Sequence, residues 1–255
     1  MLAAERRQRL MEWLQCEGGM RAADAAERLG VSEDTVRRDI RTLSQAGHLR
    51  RVHGGALPLA AGYQDFAERE RQQPDVKARL ARYVADLIEP GQVLTLDGGT
   101  SIEAVARALP LSLNATVITH SLPVTLALQG HTGIEVRMPG GSFHRGSRVL
   151  TGAETLAGLQ SVYADVCLLG VCSVSLEAGL TTPEPREVAL KQTMITNARA
   201  VVAVVTGEKF GTAAAFRVAG LESVSRIVTD ASDCDLVASL LAQGIDVSIV
   251  PGEEQ

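Results

Sequence analysis

Residues 21–43 read Arg-Ala-Ala-Asp-Ala-Ala-Glu-Arg-Leu-Gly-Val-Ser-Glu-Asp-Thr-Val-Arg-Arg-Asp-Ile-Arg-Thr-Leu, and they admit few folds. Ala22, Ala23, Ala26 and Leu29 recur at helical spacing, and such small residues let two helices approach closely. Gly30 follows the last periodic residue, where a helix C-terminus favours glycine. Ser32 then stands where an N-cap is expected, with Glu33 and Asp34 suited to the positive end of the next helix. Val36, Ile40 and Leu43 fall at i, i+4 and i+7 and predict the buried stripe of that second helix. Two short helices across a tight Gly-Val-Ser turn form a helix-turn-helix, whose second helix enters a DNA major groove.

The residues opposite that stripe have the matching chemistry. Thr35, Arg38 and Arg41 point away from it, with Arg37 at its flank and Ser32 at its start. Arginine pairs bidentately with guanine, and threonine meets a base or a phosphate. Residues 5–17 predict a preceding helix with Leu10, Trp13 and Leu14 available for packing. Residues 47–56 alternate apolar and basic side chains and predict a β-hairpin wing, with Leu49 and Val52 turned inward. Arg50, Arg51 and His53 would lie over the DNA backbone or reach the minor groove. Five arginines oppose one acid, Asp39, between Arg37 and His53, in a chain of net charge −5. A basic patch on an acidic protein suits a sequence-specific reader and argues against a protein that coats DNA.

Behind this module the period changes. Residues 92–97, 116–119, 134–138, 165–171, 200–205, 226–229 and 246–250 are strand-like, with helical stretches between most of them. The run Asp-Val-Cys-Leu-Leu-Gly-Val is continuously apolar after its first residue, as for a strand buried on both faces. The expected fold class is therefore α/β, an N-terminal winged helix-turn-helix followed by a larger Rossmann-like, mainly parallel domain. We place the DNA-binding unit at 3–58, a linker at 59–73 and the second domain at 74–252. At 255 residues and 45% hydrophobic content the chain can bury a substantial core.

Ligands of parallel sheets bind at the carboxyl ends of the strands. Asp97-Gly98-Gly99-Thr100-Ser101 sits there, between a strand and a helix, with glycines that let backbone N–H groups converge and hydroxyls at a helix start. This suits a phosphate, although a tight βα turn capped by Ser or Thr reads the same way. It is neither a Walker loop nor a dinucleotide fingerprint. By the same strand-end rule His120, Ser121, Gly140 and Gly141 are further candidates. Lys191 lies four residues after Glu187, a spacing that by itself gives only a weak ion pair. Cys16, Cys167, Cys172 and Cys234 lack metal or redox spacing, and Cys167 and Cys172 read as core thiols in a reducing cytoplasm. No cofactor or metal is expected. No apolar run approaches the ~20 residues needed to span a membrane, and the N-terminus has no secretory pattern.

The segment Val-Ser-Glu-Asp-Thr-Val-Arg-Arg-Asp-Ile-Arg-Thr-Leu, with Gly-His-Leu-Arg-Arg-Val-His-Gly-Gly-Ala after it, resembles the signature of the DeoR family of bacterial transcriptional regulators. Phe66-Ala-Glu-Arg69, Lys77, residues 97–101, Thr119-His-Ser121, Pro139-Gly-Gly141, residues 179–181, Lys191, Lys209-Phe-Gly211 and Thr229-Asp230 follow in the family's order. The resemblance implies a DNA-binding repressor of carbohydrate-metabolism genes, homodimeric or homotetrameric on its double-stranded operator. It implies a sensor domain that resembles sugar-phosphate isomerases and takes a phosphorylated sugar or related metabolite. Lys191 matches the family's sensor lysine. Thr206 stands where the family usually has an acid, and His120 where asparagine is common. The alternative is an isomerase-like enzyme with Asp97, Glu187 and Lys191 as acid and base. A fold shared with enzymes does not confer their chemistry, so no catalytic residue is assigned.

Overall fold

The helical stripe and the caps act locally, and in a computed structural model they produce the expected N-terminal module. The structure describes residues 2–17, 19–52, 54–58, 64–232 and 235–252. The module comprises α1 (Ala3–Glu17), β1 (Met20–Arg21), α2 (Ala22–Leu29), α3 (Glu33–Gln45), β2 (Arg50–Val52) and β3 (Gly55–Leu57). Gly30 closes α2 at φ 64°, with the Val31 N–H donating to the Ala26 carbonyl. The Ser32 hydroxyl accepts the Thr35 N–H at 3.3 Å and starts α3. Leu10 and Leu14 of α1 pack with Ala25 and Leu29 of α2 and with Val36 and Ile40 of α3. The β2–β3 hairpin is the expected wing. One feature beyond it is β1, which pairs antiparallel with β3. A Cβ at Gly55 would fall 2.1 Å from the Met20 carbonyl oxygen, so this close pairing requires glycine there.

The second unit runs α4 (Phe66–Glu70), α5 (Pro74–Ala85), β4 (Val93–Leu96), α6 (Thr100–Ala108), β5 (Ala115–Thr119), α7 (Leu122–Ala127) and β6 (Ile134–Arg137). It continues with β7 (Ser142–His144), β8 (Val149–Thr151), α8 (Ala153–Gln160), β9 (Ala164–Gly170), β10 (Ser173–Ser175), β11 (Gly179–Thr182) and α9 (Pro185–Thr196). It closes with β12 (Ala198–Val205), β13 (Phe216–Ala219), β14 (Arg226–Thr229), α10 (Asp235–Ala242) and β15 (Val247–Ile249). Among the described residues, seven strands form one sheet in the order β15-β14-β12-β9-β4-β5-β6, and every pair in it is parallel. These are the seven segments expected from the sequence. Leu80, Val84, Ile102, Val105 and Val124 from α5, α6 and α7 cover one face. Leu159, Leu190, Met194, Val237 and Leu240 from α8, α9 and α10 cover the other. The chain enters the sheet at β4 and builds outward to β6, then returns beside β4 with β9 and builds the other way. The β4–β9 boundary is thus the topological switch point, where a crevice opens at the carboxyl ends.

Three features had no counterpart in the sequence expectation. Helix α8 was not anticipated. The β7–β8 hairpin stands off the main sheet, and β10, β11 and β13 form a small antiparallel sheet. Their strands are three or four residues long and lack a continuous apolar run. Residues 66–70, inside the stretch expected as linker, form α4, and its N-terminus is closed by a capping box between Asp65 and Glu68. No described helix is long and apolar enough to cross a membrane.

Candidate functional site

Two surfaces concentrate chemistry. On the first, α3 and the wing enclose a cleft of about 330 Å³ lined by Arg37, Arg41, Arg51 and Gly54. Arg38, Arg41 and Arg51 are exposed. Arg37 is exposed too, but its guanidinium donates to Glu33 at 2.7 Å. Thr35 is half-buried and its hydroxyl lies 2.8 Å from that of Ser32, which is engaged in capping. Arg50 is half-buried, and its Nε is enclosed without a hydrogen-bond partner. The strand turns Arg51, not Arg50, outward, because Arg50 and Val52 share the inner side of β2. His53 lies outside the described residues. Asp39, the lone acid of the basic stretch, faces inward, where Arg6 hydrogen-bonds it and Arg7 Nε sits 3.5 Å away. Beyond its first turn, the exposed charges of α3 are therefore all positive.

The second surface is a cavity of about 130 Å³ at the switch point. Gly98, Gly99, Thr100, Ser101 and Lys191 line it. Gly99 adopts φ 104° as the N-cap of α6 and offers no side-chain cap. A Cβ on Gly170 would lie 2.5 Å from the Gly98 carbonyl oxygen, so β9 can approach the loop only through glycine. The first turn of α6 thus presents N–H donors to the cavity, the arrangement that favours an anion. Facing it are three cations the strand-end reading missed as cavity residues, Arg69, Lys77 and Lys209. Burial, then the charge of Lys209, pushes Lys77 down to about 8. Burial likewise lowers Lys209. Three crowded cations thus face an uncapped helix start, with the carboxylates of Glu184, Glu187 and Glu208 on the same lining.

Asp97 lies beneath this floor, fully buried. Lys191 hydrogen-bonds its Oδ2 and donates to the Gly170 carbonyl at 3.0 Å, and the Gly170 N–H donates to the same carboxylate at 3.0 Å. Burial works against the Lys191 ammonium, but Asp97 and then Glu187, 3.7 Å away, outweigh it and leave its pKa raised. Cys167 is buried in the core, and burial raises its thiol pKa. Cys172, expected in the core, lines the cavity instead.

His120, Ser121, Gly140 and Gly141 stand outside the cavity. Ser121 caps α7 through the Val124 N–H. The Gly140 carbonyl accepts the Thr155 hydroxyl at 2.7 Å, and Gly141 packs against that same side chain. His120 is fully buried, with neither ring nitrogen hydrogen-bonded, its Nε2 3.8 Å from Asp97 Oδ1. Burial holds its pKa below 6.5, against the pull of Asp97. Below pH 6.5 the unfolded chain therefore takes up a proton that the folded chain refuses. Stability should fall on acidification by up to about 1.4 kcal/mol per pH unit until the folded pKa is reached. His120→Asn should flatten that slope in chemical denaturation at pH 5–7, and an unchanged slope would assign it to other groups.

Comparison with known proteins covers both units of the chain. The DeoR-like helix-turn-helix domain matches residues 6–59, and the DeoR C terminal sensor domain matches residues 72–231. The HTH-type transcriptional regulator GlpR of Haloferax volcanii is 30% identical over 97% of this chain and 98% of its own. The glycerol-3-phosphate regulon repressor of Escherichia coli K12 is 30% identical over 91% of this chain and 92% of its own. Ribose 5-phosphate isomerase A of Methanocaldococcus jannaschii overlays on 55% of each chain with a TM-score of 0.41 at 17% identity. With a matched reading head, a matched sensor and full-length relatives that are regulators, the chain belongs to the DeoR family and is a DNA-binding transcriptional regulator, not an enzyme.

Proposed function

We propose that the chain represses carbohydrate-metabolism genes and that a phosphorylated sugar or related phosphorylated metabolite controls its hold on the operator. The carrying observation is the cavity at the β4–β9 boundary, where the uncapped start of α6 faces Arg69, Lys77 and Lys209. That chemistry selects a dianion on a small polar body. Gly98–Ser101 would hold the phosphate through backbone N–H groups and the Thr100 and Ser101 hydroxyls. Glu184 and Glu187 line the same cavity and would accept from sugar hydroxyls. The exposed face of α3 would read base edges through Thr35 and Arg38. Arg37, Arg41 and Arg51 would grip the backbone. The DNA-binding unit runs to about residue 58, and Gln64 onward belongs with the sensor because Gln64, Arg69 and Gln72 line its cavity. The protein acts as a homodimer or homotetramer, since operator symmetry mirrors protein symmetry.

The test is fluorescence anisotropy on the gene's own upstream DNA, with glycerol 3-phosphate and a panel of pentose and hexose phosphates beside their unphosphorylated counterparts. One phosphorylated compound should weaken binding, within the 5–150-fold span of ordinary coupling. Thr100→Glu, which puts a carboxylate where the phosphate would sit, should keep operator binding and abolish that response. A normal response in this variant would overturn the phosphate assignment.

A further inference from the structure

We infer that α4 is the switch between cavity and operator: Lys77, which closes the end of α4, and Arg69, which α4 carries, are both ligands of an incoming anion. The inference rests on reading the cavity as an anion site. It starts from where α4 sits. The wing's last strand ends at Leu57, and α4 begins at Phe66, so α4 is the first described helix after the DNA-binding unit. It is also a wall of the cavity. The Arg69 Nη1 lies 3.7 Å from where a Cβ on Gly99 would stand, directly over the anion loop.

The two ends of α4 are held differently. Its start is fixed to the β7–β8 turn. The Phe66 N–H donates to the Gly146 carbonyl at 2.7 Å, and the Phe66 ring, 1% exposed, lies under the Arg148 guanidinium at 4.7 Å. At its end the Lys77 ammonium hydrogen-bonds the Arg69 carbonyl oxygen, which also accepts the Gln72 N–H at 3.2 Å. Lys77 belongs to the buried face of α5 and cannot follow α4 if α4 moves. An anion at Gly98–Ser101 competes with that carbonyl for the ammonium and offers Arg69 a stronger partner than the Asp65 carbonyl it now reaches at 3.4 Å. Charge-assisted bonds to a phosphate outweigh one neutral carbonyl, so the occupied cavity repositions the C-terminal half of α4. α4 is the first described element after β3 along the chain, so it is the sensor element through which the displacement would reach the reading head.

Lys77 adds a proton linkage. Its pKa of about 8 reflects burial and the charges of Lys209 and Arg69, opposed by Glu208 and Glu103. A bound anion raises that pKa, so binding takes up protons near pH 8.

Hydrogen–deuterium exchange on the full chain tests this, with inorganic phosphate against chloride at matched ionic strength. Phosphate should slow exchange at residues 97–103 and quicken it at 66–72. Lys77→Met should quicken 66–72 without phosphate and lower affinity for an operator duplex selected from random DNA roughly tenfold. Phe66→Leu, which replaces no residue of the cavity lining but removes the ring beneath Arg148 and Arg69, loosens the other end and should keep the slowing at 97–103. It should lose the phosphate effect on operator affinity, and it decides the matter if Lys77→Met does not fold. Slowing at 97–103 with unchanged exchange at 66–72 would overturn the switch and leave the anion site standing. No change at 97–103 would overturn both.

Discussion

Arg38→Ala will weaken operator binding by about 1–3 kcal/mol, roughly 5–150-fold, and relax sequence preference at a single base position. The expectation follows from the placement of the side chain. Arg38 projects from α3 on the side away from Val36 and Ile40, and it is exposed. Among the described residues its guanidinium has no hydrogen-bond or ion-pair partner, so DNA takes it up without breaking a protein contact. Arg37 differs, because Glu33 already holds it at 2.7 Å and any gain on DNA is offset by that loss. Arg51→Ala should behave in a third way. Its position on the wing suits a phosphate, so its removal should weaken all sequences alike and lower the salt slope by about one. Anisotropy titrations at several salt concentrations, on the operator and on single-base variants, separate the three. Unchanged operator affinity for Arg38→Ala would place the reading surface elsewhere on the module.

These arginines were legible because everything that orients them is local. The Gly30 cap, the Ser32 cap and the i, i+4, i+7 stripe lie within fifteen residues, and together they fix which side of α3 faces out. The parallel strands were legible for a different reason, since burial on both faces leaves a continuous apolar run. The cavity was half legible. Its loop carries its own βα-turn chemistry, whereas Arg69 and Lys77 reach it from before the first strand of the sheet and Lys209 from more than a hundred residues beyond the loop. A sequence signal for two of them existed. Lys77 is in phase with Leu80, Ala81 and Val84, so a lysine heads the apolar stripe of α5 and must be buried with it. Asp65 and Glu68 are spaced as a capping box and announce a helix where a linker was expected.

The strand-end rule that singled out residues 97–101 also selected Gly140 and Gly141. They follow β6, an edge strand two positions from β4, so the rule holds only near the switch point. It selected His120 as well, which follows β5 beside β4. There the β7–β8 hairpin covers the strand end, with the Leu150 N–H donating to the His120 carbonyl at 2.7 Å. That covering depends on a hairpin the sequence did not announce.

Lys191→Met will destabilise the sensor unit by about 3–5 kcal/mol, because it leaves a buried carboxylate without its cation. Asp97 is 0% exposed and its Oδ1 already lacks a hydrogen-bond partner. Without the ammonium, the Gly170 N–H is its one remaining hydrogen-bond donor. For a unit of this size the loss corresponds to a fall in Tm of roughly 6–20 °C. Asp97→Asn/Lys191→Met should recover much of it, since a neutral amide can be buried there at lower cost, and the coupling energy of this cycle measures the pair. The pH dependence provides a second discriminator. Lys191 has a raised folded pKa, so its contribution is present below about 10.5, its ordinary value, and disappears only as pH rises beyond that. The deficit of Lys191→Met should therefore stay constant from pH 7 to 9. A small loss, or one that the double variant does not repair, would mean that Lys191 serves the cavity alone and not the fold beneath it.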